Sequence, residues 1–109
     1  MTIAEALESS VVHAPALVLF ELVEAIRDAE RVSFLTREEA VDAAAEALEL
    51  EIHAWPLDAF VDRVWELRHN ISAYDASYVA LAERLDAPLL TIDDRLTRAP
   101  GPRCQFLVP

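Results

Sequence analysis

The chain has 109 residues, with 20 Asp and Glu against 9 basic residues, for a formal charge of −11. That length allows one domain, taken as residues 1–109, and a hydrophobic content of 54% is enough to bury a core. All nine basic residues are arginine, and a pI near 4.5 excludes a nucleic-acid binder that works by bulk positive charge, though not an enzyme that meets phosphates through a bound cation.

The single cysteine, Cys104, excludes an internal disulfide framework and a multi-cysteine zinc site, so a reducing, cytoplasmic setting is expected. Residues Met1 to Glu8 lack a basic leader, and the apolar run Ala14 to Phe20 is far below the roughly 20 residues that span a bilayer. No membrane association is expected.

In chain order, Thr2 with Glu5 reads as a capping box over a short helix ending near Ser9 and Ser10. Val11 to His13 is a short strand that stops at Pro15. From Ala16 to about Asp28 the spacing predicts a helix, with Val18, Leu22, Ala25 and Leu19, Val23, Ile26 as adjacent apolar rows. Thr36 with Glu39 is a cleaner capping box, opening a helix through about Leu50, and Leu50 to Trp55 reads as a strand. After Pro56, the residues Leu57, Phe60, Val61, Val64 and Trp65 recur at amphipathic helical spacing. Ser72 opens a further helix to about Leu85, Pro88 to Ile92 reads as a buried strand, and Gln105 to Val108 as a last short one. Helices alternating with short apolar strands predict an α/β sandwich on a mainly parallel sheet, with function gathered at the carboxyl ends of the strands.

Three carboxylates stand out. Glu21, Glu24 and Asp28 form a helical stripe that is either a solvated acidic face or a place where a cation relieves like-charge repulsion. Asp75 lies at the third position after Ser72, a capping position, yet it shares a face with Ile71, Tyr78, Val79 and Ala82. A carboxylate on an apolar face calls for a partner, a proton or a metal. Asp93 ends the strand Leu89 to Ile92, where Asp93 or Asp94 either caps the segment Arg95-Leu96-Thr97 or turns toward Asp75. Carboxylates gathered from separate elements are hard oxygen donors suited to Mg²⁺ or Mn²⁺. His13, His53 and His69 lack metal-ligand spacing, and the single glycine, Gly101, excludes a Gly-rich phosphate loop. Trp55, Phe60, Trp65 and Tyr78 read as core residues rather than base-stacking surfaces.

Three segments are familiar together. His13-Ala14-Pro15-Ala16-Leu17-Val18-Leu19-Phe20-Glu21-Leu22-Val23-Glu24-Ala25-Ile26, Ser72-Ala73-Tyr74-Asp75-Ala76-Ser77-Tyr78-Val79-Ala80-Leu81-Ala82-Glu83 and Leu89-Leu90-Thr91-Ile92-Asp93-Asp94-Arg95-Leu96 resemble, in order and spacing, PIN-domain ribonucleases of the VapC type. These are the ribonuclease half of bacterial VapBC toxin–antitoxin pairs. The resemblance implies a PIN-like three-layer αβα sandwich and a Mg²⁺-dependent endoribonuclease that hydrolyses RNA phosphodiesters, with Mn²⁺ an alternative ion. It implies catalytic and metal-site acids at Glu21, Asp75 and Asp93, with Asp94 a secondary candidate and Thr91 a hydroxyl beside the last acid. The implied partners are a VapB-like antitoxin, an RNA substrate and a second copy in a homodimer.

One departure is an expectation of its own. The family opens with a central strand ending in an aspartate, and no such strand precedes Glu21 here, so the fold is expected to be N-terminally incomplete and its remaining strands to lack their middle partner. Two readings follow: an amino-terminally truncated nuclease, or a catalytically inactive PIN-like interaction protein that binds an antitoxin. Arg27, Arg31, Arg95 and Arg98 are either contacts for RNA phosphates or surface partners of nearby acids.

Overall fold

A computed structural model describes residues 11–108, so the expected helix over Thr2 to Ser10 lies outside the described residues. The first strand, β1 (Val12–Pro15), begins one residue later than expected and ends at Pro15, which it includes. It pairs in parallel with β2 (Ile52–Trp55), in register from Val12 opposite Ile52 to Pro15 opposite Trp55. Ala16 continues the ladder, its N–H donating to the Trp55 carbonyl at 2.8 Å. Because successive residues of a strand point their N–H groups to opposite sides, the N–H that Pro15 lacks belongs to the edge away from β2, where proline is tolerated.

Helix α1 (Val18–Arg31) extends about one turn beyond the expected end. Its apolar rows do not enter the core. No residue of α1 is fully buried, and Val23 remains 57% exposed, because among the described residues the helix packs chiefly on α2 (Arg37–Glu49) and not on a sheet. Helix α2 opens with the expected capping box, in which the Thr36 hydroxyl accepts from the Glu39 N–H at 3.1 Å and the Glu39 carboxylate accepts from the Thr36 N–H at 2.9 Å.

The single helix expected after Pro56 is broken. A 3₁₀ turn (Leu57–Ala59) leads to Phe60, whose φ of −146° departs from helical values, and then to α3 (Val61–Glu66). The break lets the Phe60 ring enter the core, whereas Trp65, expected there too, is 65% exposed with the Arg68 guanidinium 4.1 Å above its ring.

Helix α4 (Ala73–Leu85) is the central element. Ser72 caps it, and Asp86, at φ 50°, ends it in the left-handed conformation. Ala76, Val79, Ala80, Leu81 and Ala82 are all buried, and the small alanines let strands and α3 approach the helix closely. The buried Ser77 hydroxyl is satisfied by donating to the Tyr74 carbonyl at 2.6 Å. The remaining elements are β3 (Leu89–Leu90), α5 (Asp94–Arg98) and β4 (Phe106–Leu107), with β3 and β4 parallel. The core gathers Phe60, Val64, Leu67, Ala76, Val79, Ala80, Leu81 and Leu96.

The α/β class with parallel strands is the expected one, and all four strands exist. They form two separate pairs among the described residues, β1 with β2 and β3 with β4. Both pairs pack on α4. Between the open sides of β1 and β3 lies an apolar slot of about 470 Å³, whose lining includes Val12, Pro15, Leu81, Leu85, Leu89 and Leu90. No helix of the described residues is long and apolar enough to cross a membrane.

One ion-paired network locks the far side. Arg63 of α3 meets Glu83 of α4 through Nε at 2.7 Å and Nη2 at 3.2 Å, and also donates to the Gly101 carbonyl at 2.8 Å. Gly101 sits at φ 106°, and a Cβ there would fall 2.8 Å from Asn70 Nδ2, so no other residue fits this turn without displacement.

Candidate active site

The site is built from the start of α4 outward. Asp75 lies in the first turn, where its N–H donates to the capping Ser72 hydroxyl at 3.1 Å and the helix dipole favours its charge. Its half-buried side chain lines a groove of about 380 Å³, together with Tyr78, Leu89, Leu90, Thr91, Ile92 and Leu96. The groove lies at the carboxyl end of β3, where open α/β sheets place their sites.

One helical turn beyond Asp75, the Tyr78 hydroxyl donates to the Glu21 carboxylate of α1. Burial raises the Tyr78 phenol well above its usual range, and the hydrogen bond to Glu21 and the negative charges of Glu21 and Asp75 push it further the same way. Tyr78 is therefore a permanent donor, with a carboxylate from each of two helices beside it. Sequence reasoning assigned Tyr78 to the core. The available signal was its spacing three residues after Asp75, which puts both on one helical face.

Thr91 follows β3 and lines the groove. Its N–H extends the ladder to the Leu107 carbonyl at 3.1 Å, and its hydroxyl accepts from the Asp93 N–H at 3.1 Å. Asp93 is the N-cap of α5, its carboxylate accepting from the Arg95 N–H at 2.9 Å with Arg95 Nε at 3.6 Å. Asp94 opens the same helix, and its carbonyl accepts from Thr97 and Arg98. Neither Asp93 nor Asp94 lines the groove.

Two acids of the α1 stripe have arginine partners on the same helix, in line with the reading of Arg27 and Arg31 as surface partners of nearby acids. Arg31 meets Asp28 at 3.1 Å, and Arg27 lies 3.7 Å from both Glu24 and Asp28. Glu24 and Asp28 are thus ion-paired on the surface, while Glu21 turns to Tyr78 instead. His13 and His53, neighbours across the parallel register, have ring centroids 5.0 Å apart, and His13 Nδ1 accepts from Trp55 Nε1 at 2.9 Å.

The structure therefore brings Asp75 and Thr91 into one groove and links Glu21 to it through Tyr78, while Asp93 serves a helix cap. Among the described residues no three His, Cys, Asp or Glu side chains converge as a metal-holding group. The donor set fits a Mg²⁺ ion in one restricted sense. Mg²⁺ keeps several waters and is commonly held by one or two carboxylates plus substrate phosphates, and Asp75 and Glu21 supply two such carboxylates.

The α/β frame places an acid at the start of a buried central helix, beside a strand end and on the wall of a groove. The PIN domain family model matches residues 1–102. Ribonuclease VapC1 of Mycobacterium tuberculosis is 43% identical over 102 residues, covering 92% of this chain and 76% of the relative. Ribonuclease VapC12 of the same organism is 37% identical over 99 residues, covering 91% of this chain and 77% of the relative. The VapC ribonuclease Mb0985 of Mycobacterium bovis is 36% identical over 96 residues, covering 88% of this chain and 76% of the relative. The chain belongs to the PIN-domain family, among its VapC members.

Proposed function

We propose that this chain is the endoribonuclease toxin of a type II toxin–antitoxin pair, hydrolysing RNA phosphodiester bonds with Mg²⁺, or Mn²⁺ in its place. The observation that carries the reading is the meeting of Asp75 and Glu21 at Tyr78 on the wall of the groove, in a chain similar over nine-tenths of its length to proteins named ribonucleases. Asp75 and Glu21 would hold the ion, with Asp93 the third acid of the set that the family resemblance implies. An ion held there would supply positive charge against the phosphoryl oxygens and would acidify the attacking water. Asp75 brings its charge already stabilised by the helix terminus, so little is lost in ordering it. Thr91 offers its hydroxyl proton to the groove, since its oxygen is the acceptor of the Asp93 N–H. The cognate partner is a VapB-like antitoxin, and the working form is a homodimer. A net charge of −11 favours a basic antitoxin segment over loose RNA binding.

Titration with Mn²⁺ by calorimetry tests this, with cleavage of single-stranded RNA read alongside. The wild-type chain is expected to bind and cleave, and Asp75→Asn to lose both while keeping its fold with equal or slightly greater stability, because a like charge leaves the groove. A loss of fold with unchanged metal binding would instead make Asp75 a capping residue.

A second reading, an inactive PIN-like protein that only binds an antitoxin, draws on the helix-capping engagement of Asp93 and the absence of a three-acid group among the described residues. It predicts antitoxin binding without metal uptake.

A further inference from the structure

We infer that Tyr78 is a positioning residue, which fixes the Glu21 carboxylate toward Asp75 and so sets the geometry of the acid pair. The inference rests on the metal reading above, but its geometry stands by itself. Glu21 is exposed on α1, a helix with no fully buried residue, and a glutamate there has a long, freely rotating side chain. Left alone it would sample solvent like Glu24, its neighbour one turn along, whose partner is the exposed Arg27. Glu21 is singled out by one contact, the Tyr78 hydroxyl, which reaches it from a different helix.

Tyr78 is suited to this task by its own anchoring. It is half-buried on α4, between the buried Ser77 and Val79, and its ring lines both the groove that holds Asp75 and the slot between β1 and β3. Its place in both is set by α4 and not by α1. A phenol donates one proton, so it occupies one carboxylate oxygen of Glu21 and leaves the second free for a cation. Arginine or lysine at this place would bind the carboxylate too, but would bring a positive charge that repels the ion. Tyrosine orients the acid without neutralising it. Hydrogen-bonded partners of this kind orient ligating carboxylates, and their removal typically weakens metal binding by about tenfold or more.

The experiment uses the whole chain in four forms: wild type, Tyr78→Phe, Glu21→Gln and the double variant. Phenylalanine keeps the ring packing and removes only the donor, and circular dichroism checks that each form is folded. Mn²⁺ affinity, read by electron paramagnetic resonance, is expected to fall about tenfold in Tyr78→Phe and to show no further loss when Tyr78→Phe is added to Glu21→Gln. Wild-type affinity in Tyr78→Phe, or an equal loss in the Glu21→Gln background, would overturn the inference. A second readout needs no metal, namely the Glu21 side-chain methylene couplings in NMR. One rotamer in wild type and averaging in Tyr78→Phe supports the role, while averaging in both overturns it. A wild-type chain that takes no Mn²⁺ removes the metal reading alone, and the NMR comparison still decides whether Tyr78 fixes Glu21.

Discussion

Arg63 and Glu83 show what a single pair contributes at the scale of residues. Their side chains are 19% and 16% exposed, and Glu83 also accepts from the Arg103 N–H at 2.7 Å. Burial pushes the Glu83 carboxyl up, but the hydrogen bonds from Arg63 and the Arg103 N–H, and the charges of both arginines, more than offset it, so its pKa lies below the ordinary 4.5. A depressed carboxyl stabilises the fold fully above its unfolded value, and that stability drains away as pH falls through the lower folded value. Glu83→Gln is expected to cost about 2 kcal/mol at pH 7 and progressively less below pH 4.5, because Arg63 loses an ionised partner and one of the two oxygens to which it donates. Urea unfolding at a series of pH values checks this, and a penalty independent of pH would rule it out. At this scale the sequence was partly legible. Asp75 stood out because it lies on an apolar helix face, whereas Tyr78 did not, because a tyrosine on that face is equally well a core residue. The hydrogen bond to Glu21 spans 57 positions in the chain, and no local spacing encodes it.

Caps were the most legible features among the elements. Thr36, Ser72 and Asp93 each precede a helix and each accepts a backbone N–H just inside it, as local chemistry dictates. Ser72→Ala is expected to cost about 1 kcal/mol of stability and to leave the Asp75 N–H without its acceptor. Thermal unfolding measures the first, and faster amide exchange at Asp75 reports the second. No change in either would mean that water replaces the hydroxyl at no cost. Less legible was the helix after Pro56, whose apolar spacing holds through Phe60 although the backbone there does not. Burying that ring outweighed helical continuity, which is a tertiary effect that periodicity does not carry. The strand expected over Pro88 to Ile92 shrank to Leu89–Leu90, since Asp93 and Thr91 turn the chain into α5.

At the scale of the molecule, apolar content is high but unevenly used. Phe20 and Val23 of α1, Phe34 of the connecting turn and Leu48 of α2 remain exposed, so this helix pair presents apolar side chains to solvent. Self-association through it is expected to be visible in sedimentation velocity, rising with protein concentration, and Val23→Lys should reduce it while leaving helical content unchanged. Identical sedimentation of the two forms would place association elsewhere. Among the described residues the strands pair as two separate parallel sheets, an arrangement that no local spacing in the sequence carries. Periodicity reports which face of a strand is buried but not which strand lies beside it, and so it does not reveal the slot over α4.

The parallel pairing also bears on how the chain reaches this state. Val12 meets Ile52, and Leu89 meets Phe106, so neither sheet contains a tight hairpin that forms by local collapse. Each pair must wait for helices to fold and for distant stretches to be drawn together, which makes loop closure, rather than strand formation, the slow step. Helix α4, touched by both pairs, is the surface on which those closures end. Its capped, alanine-rich sequence thus provides the surface that receives both strand pairs as well as the place of Asp75.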